Sequence, residues 1–299
     1  MNALELIAEN IKNKNLDKAL ELCKLNENSN DKSIIYNFIG VIHFMKKNLA
    51  EAENFFLKVI EIDDKFQDPI RNLCVIYTIT KKFHKLLNYS DKLYNLDNKN
   101  PLNIFQIGSA NELNKNYDDA IKYYEKYINT NGSDQKKGFN NIGNIYLRKG
   151  KPKTSIKYFS QALELDSNSK ILINNILLCY LSLRDEKKAD EYFKKAKTID
   201  SNYIEFLHNK AEYLILKNQI IEAEKILEKN KSNTKFLITL IRLYFNSGQS
   251  AKGNELLNKS REILKNNSDF YNYLGIRYLY EGNFDEGWKY YEFRKSKLT

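Results

Sequence analysis

Small residues return along this chain every 34 positions, and that rhythm leaves room for little except an array of similar units. An aliphatic residue followed by glycine stands at Gly40, Gly108, Gly143 and Gly275. Gly40 and Gly108 are two steps of 34 apart, with Cys74 at the step between, and further steps from Gly143 reach Leu177 and Ala211. A second small series follows twelve residues later, at Ala52, Ala120, Ser155, Ala189, Ala223, Gly253 and Gly287, with Ala19 opening it and Leu86 breaking it. Four residues further on come large side chains: Phe56, Tyr124, Phe159, Phe193, Leu227, Leu257 and Tyr291. Self-similarity at such a period marks a repeat architecture.

Helix geometry makes sense of the pattern. Glycine inside a helix costs about 1 kcal/mol relative to alanine, so its recurrence implies two helices that approach closely. Residues four apart share one helix face, which places each large residue beside the gap that the small series leaves. Gly150, Gly248 and Gly282 lie seven residues after the first small position, where a helix C-terminus favours a residue with positive φ. Each unit therefore reads as helix, turn, helix.

Composition agrees. Three prolines and 11 glycines in 299 residues are too few for a loop-rich β protein, and 42% hydrophobic with 29% charged residues suits a folded core. No apolar run reaches the roughly 18 residues that cross a bilayer. The opening MNALELIAENIKNKN reads as an amphipathic helix rather than a signal peptide. Cys23, Cys74 and Cys179 are scattered and odd in number, which argues against a disulfide framework and for a reducing, cytoplasmic setting. Sequons at Asn88, Asn131, Asn258 and Asn266 then follow from asparagine abundance. The net charge of +10 is spread along the chain; it permits nonspecific attraction to nucleic acid, but nucleic acid is an unlikely partner because most aromatics fall at core positions of the repeat.

The unit beginning near 136 carries Phe139, Ile142-Gly143, Tyr146, Ser155, Phe159 and Ala162. On these residues the chain resembles the tetratricopeptide repeat (TPR) family. The resemblance implies an all-α fold, a right-handed superhelical solenoid of antiparallel helix pairs. About nine repeats start near 1, 33, 67, 101, 136, 170, 204, 234 and 268, so that residues 1–299 form one array. The family's closing proline is mostly absent. The segment INTNGSDQKKG at 128–138 is one residue longer than the period and contains Asn131-Gly132, a turn signal and a candidate hinge.

The resemblance also implies that the first helix of each unit lines a concave groove. Two residues before the small position stand Asn72, Gln106, Asn141, Asn175 and Asn209. A carboxamide offers two donors and two acceptor lone pairs, so such a row could hold both the N–H and C=O groups of an extended peptide. It is similar to the asparagine ladder of the repeat region in O-GlcNAc transferases. A related scheme in the family grips a C-terminal carboxylate with asparagines and cations. Asn144, Asn175 and Asn209 supply amides, but Asn140, Glu205 and Asn209 stand where cations belong, which argues against that scheme.

The last unit ends with Gly287-Trp288 and Tyr291-Glu292-Phe293-Arg294. This segment resembles the repeat region of bacterial repeat-linked glycosyltransferases and implies, as an alternative, a substrate-recruiting arm of a larger transferase. Trp288, Tyr290 and Phe293 are candidate interface residues, for a partner or for a second copy of the chain. No catalytic residue, cofactor or metal site is expected. His43, His84 and His208 are isolated, and no phosphate loop, cysteine pair or zinc helix motif occurs. The expectation is a non-catalytic scaffold that binds a protein or peptide ligand.

Overall fold

In the computed structural model, described for residues 2–265 and 267–296 and without the side chains of residues 269 and 293–296, the described chain is all-α. It forms nine hairpins. They are α1 (Ala3–Lys12) with α2 (Leu16–Leu25), α3 (Lys32–Met45) with α4 (Leu49–Ile62), α5 (Gln67–Ile79) with α6 (Phe83–Leu96), α7 (Pro101–Leu113) with α8 (Tyr117–Ile128), and α9 (Gln135–Arg148) with α10 (Pro152–Leu165). The remaining four are α11 (Lys170–Leu183) with α12 (Glu186–Ile199), α13 (Ile204–Leu216) with α14 (Ile220–Lys229), α15 (Thr234–Asn246) with α16 (Ser250–Leu264), and α17 (Ser268–Tyr280) with α18 (Phe284–Ser296). The fold is a helical-repeat solenoid. It divides into two compact units, Met1–Asp166 and Ser167–Thr299, which are described separately below.

The small-to-large pattern is the packing rule of each hairpin. A Cβ on Gly40 would stand 2.6 Å from the Phe56 ring, and one on Gly143 would stand 2.5 Å from the Phe159 ring. In both cases the ring comes from sixteen residues downstream, on the second helix, and is fully buried. The third hairpin reaches the same density by exchange. Leu86 is large where the other hairpins are small, and Ser90 is small where all of them but the first, which has Cys23, carry an aromatic or leucine; both are buried, with Ser90 Oγ 3.6 Å from Cys74 Sγ. In the last hairpin the helices touch backbone to backbone, since a Cβ on Gly275 would lie 2.6 Å from the Tyr291 nitrogen.

The turns follow an equally regular rule. Lys14, Lys47, Lys81, Lys115, Gly150, Arg184, Asn218, Gly248 and Gly282 all have positive φ. From Lys47 onward each sits seven residues after the small position of its hairpin. Only three are glycine. The other six adopt a left-handed conformation that costs a non-glycine residue roughly 1–2 kcal/mol, and the packing on either side overrides the preference.

The segment 128–138 is closely tied within the first unit. The Asp134 backbone N–H donates to Tyr127 Oη at 2.9 Å, and Gln135 Nε2 donates to the Ile128 carbonyl at 3.0 Å. Gly138 packs against Ile128, where a Cβ would come within 2.5 Å of the side chain. The three cysteines are buried and form no disulfide among the described residues, and burial pushes the thiols of Cys23 and Cys74 up to about 12 and about 11. No helix among the described residues is long and apolar enough to cross a membrane.

These rules separate two glycine classes. Gly143→Val should lower stability by about 1–3 kcal/mol through overpacking against Phe159. Lys115→Gly should raise it by up to about 1 kcal/mol by relieving the left-handed lysine. Chemical denaturation of both variants beside the parent protein checks the pair of signs.

Candidate functional site

Helix period and hairpin stacking decide which side chains share a face. First helices of successive hairpins touch one another, α3 with α5 in the first unit, and α11 with α13 and α13 with α15 in the second. Residues three and two before the small position, and one and five after it, lie on the face that these helices present together. In the second unit this face forms a cleft lined by Asn174, Asn175 and Leu178 of α11, Glu205, His208, Asn209 and Glu212 of α13, and Lys235, Thr239 and Arg242 of α15.

A hydrogen-bonded chain crosses the cleft. His208 Nε2 and Thr239 Oγ1 are 3.0 Å apart, and Thr239 Oγ1 donates to Glu212 Oε1 at 3.3 Å. The Arg242 guanidinium forms an ion pair with the same Glu212 oxygen. Burial holds the His208 ring below the usual imidazole pKa, and Lys235 and Arg242 add to the effect against the pull of Glu212. The His208 ring stands edge-on to Phe236 at 5.1 Å.

The first unit carries a related arrangement. Arg148 Nη1 donates to Glu112 Oε1 at 2.8 Å, and Tyr124 Oη donates to Glu112 Oε2 at 2.8 Å. Asn141 in turn hydrogen-bonds the Tyr124 hydroxyl. In each unit, then, a glutamate of one first helix is neutralised by an arginine of the next. Among the described residues no group of three His, Cys, Asp or Glu side chains could hold a metal ion.

The amide row splits by environment. Asn72, Gln106 and Asn141 are half-buried on consecutive first helices of the first unit, and Gln106 reaches Ser90 Oγ only at 3.5 Å. Asn144 and Asn175 are half-buried and engaged with neighbouring groups. Asn209 differs: it lines the cleft of the second unit but is committed to a neighbouring helix. It is 2% exposed, and its Nδ2 donates to the Asn174 carbonyl at 3.0 Å and to Asn174 Oδ1 at 2.9 Å. Both donor positions are thus used to tie α13 to α11. His208, Thr239, Glu212 and Arg242 were not legible as a site, because they are scattered over 35 residues of sequence and only the stacking of two hairpins brings them together.

The terminal hairpin also departs from expectation in one residue. Trp288 is 54% exposed, but Tyr290 turns inward and stacks on Tyr271 and Tyr278 at centroid distances of 5.9 and 5.6 Å. The side chain of Phe293 lies outside the described residues. Ile276, Tyr280 and Phe284 join Trp288 as exposed apolar residues of this hairpin.

Fold and face together define an all-α helical-repeat protein whose first helices present amides and internally neutralised charges. Residues 137–169 match one tetratricopeptide repeat family model, and residues 34–66, 103–134 and 172–203 match another. These four segments are tetratricopeptide repeats by their match to the family models. An uncharacterized protein of Porphyra purpurea, ycf37, is 31% identical over 68 residues, 23% of this chain, and the match spans 39% of that relative's length. A tetratricopeptide repeat protein from Parabacteroides merdae has a TM-score of 0.64 at 16% identity, covering 81% of this chain and 96% of that one. The C-terminal part of a repeat protein from Cytophaga hutchinsonii has a TM-score of 0.61 at 18% identity, covering 78% and 97%. Both structures are similar in fold.

The amides are separable by experiment. Asn209→Ala should destabilise the chain by about 1–3 kcal/mol, because it leaves Asn174 with an unpaired buried acceptor. Asn72→Ala should leave stability nearly unchanged. Thermal unfolding midpoints of the two variants check the contrast, and equal shifts would contradict it.

Proposed function

We propose that this chain is a non-catalytic scaffold that holds an extended peptide segment of a partner protein against the face of its first helices. The observation that carries the reading is the pairing of charge on that face: Glu112 with Arg148 in one unit and Glu212 with Arg242 in the other. Those charges are spent internally, and beside Glu205 and Lys235 of the second unit's cleft the face offers carboxamides, which suit a peptide backbone because they donate and accept in equal measure. Asn72, Gln106, Asn141, Asn144 and Asn175 are the proposed contacts. The tetratricopeptide architecture supports the reading, since stacked hairpins offer an extended surface without any cofactor.

The test is affinity capture from native lysate at moderate salt, wild type beside Asn141→Ala/Asn175→Ala. A partner retained by the wild type and lost from the variant, at unchanged thermal midpoint, is the expected result. Equal capture by both removes the amides from the binding face.

A second reading rests on the terminal hairpin. Ile276, Tyr280, Phe284 and Trp288 are each at least half exposed, and clustered exposed apolar residues mark interaction surfaces. We infer that this end packs against a second copy of the chain. Light scattering should report a larger species for the wild type than for Trp288→Glu, and a monomer in both cases would eliminate the interface.

A further inference from the structure

One asparagine pair recurs in the same register, at Asn37/Asn72, Asn140/Asn175 and Asn174/Asn209; the last is closed and the first is open. Asn174 and Asn209 stand three and two residues before the small positions of consecutive hairpins, 35 residues apart, and hydrogen-bond directly at 2.9 Å. Asn37 and Asn72 occupy the equivalent positions of α3 and α5, also 35 residues apart. There no bond forms. Asn37 is 9% exposed and its Oδ1 is buried without a partner, while the half-buried Asn72 makes no hydrogen bond among the described residues. The next residue in the register, Arg71, also has an unpaired buried Nε, although its Nη1 and Nη2 bind Asp68, Gln67 and Asn103.

A buried acceptor left unmatched costs about 1–3 kcal/mol, and the closed pair shows how the same fold removes that cost. The open pair is flanked by exposed aliphatic residues. Val75 is 45% exposed, one residue after the small position, where Leu178, Glu212 and Arg242 line the clefts of the second unit. Met45 and Ile79 are 39% and 55% exposed, five residues after it, at the places of Ser182, Leu216 and Asn246 in those clefts. Unmatched amide chemistry and open apolar surface thus share one face of α3 and α5.

We propose that the α3–α5 face is the specificity site for an extended peptide bearing aliphatic side chains. A backbone N–H of that peptide is to donate to Asn37 Oδ1 and a backbone C=O to accept from Asn72, with aliphatic side chains resting on Met45, Val75 and Ile79. A peptide amide supplies a donor and an acceptor together, and alternate side chains of an extended strand point to one side. This rests on the reading of the first-helix face as a peptide groove and adds where the selectivity lies and for what.

The experiment pans a display library of random peptides about twelve residues long against the intact 299-residue chain, then titrates a labelled recovered peptide by fluorescence anisotropy. The proposal expects recovered peptides with aliphatic residues at alternate positions. Binding should weaken about tenfold or more on Val75→Ser/Ile79→Ser and on Asn72→Ala, and change less than about twofold on Asn95→Ala, an exposed asparagine of the second helix α6. Thermal midpoints check that all variants fold, as the exposed or unbonded positions lead one to expect. Recovered peptides that bind all of these variants as tightly as the wild type overturn the assignment to α3–α5 while leaving a peptide groove elsewhere. Failure of the wild type to enrich any peptide overturns both readings.

Discussion

Everything in this chain depends on how near two helices can come at one small residue. Where Gly40 meets Phe56 and Gly143 meets Phe159, there is no room for a Cβ. The ring takes the space that the missing side chain leaves, at interior density. That contact fixes the hairpin, and the hairpin fixes which residues of its first helix remain outside. Binding chemistry on such a protein is what the packing rule does not claim, namely the positions just before and after the small residue.

The fold was legible because the packing rule is periodic. A glycine that recurs with a large residue sixteen places later is a statement about distance, and four such copies, held in phase by variants of the pattern in the other units, can be satisfied only by helix hairpins. The third hairpin shows what the pattern conceals. Leu86 and Ser90 fill the gap with large and small exchanged, so volume is preserved while the motif is lost, and the family models match the hairpins on either side. The turns were partly hidden for a similar reason: glycine announces three of them, whereas Lys47, Lys81, Lys115 and Arg184 carry the same backbone conformation without the usual signal.

The site was less legible. An amide in register says nothing of its partner, and two asparagines with the same label proved to be different groups. Asn209 is a lock between helices, whereas Asn72 is uncommitted. Much of the asparagine in this chain is structural: Asn26, Asn114, Asn129 and Asn230 each close a helix end by donating to a carbonyl four residues earlier. The distinction depends on the residue three before the small position of the preceding hairpin, which only pairs with the amide once hairpins are stacked. Electrostatics follow the same logic. Glu53 illustrates it away from the groove, where burial pushes the carboxyl up but hydrogen bonds from Lys82, Lys85 and Tyr77 outweigh it and hold it below the ordinary range.

The left-handed residues at the hairpin tips carry a mechanical consequence. Six of them are lysine, arginine or asparagine, and at roughly 1 kcal/mol each their summed strain is comparable with the whole stability of an ordinary domain. In an array where each hairpin contacts only its neighbours, that strain is distributed one tip at a time rather than gathered at a hinge. The strain of each hairpin is consequently set at its own turn, so one tip can be relieved or strained further without touching the first-helix face.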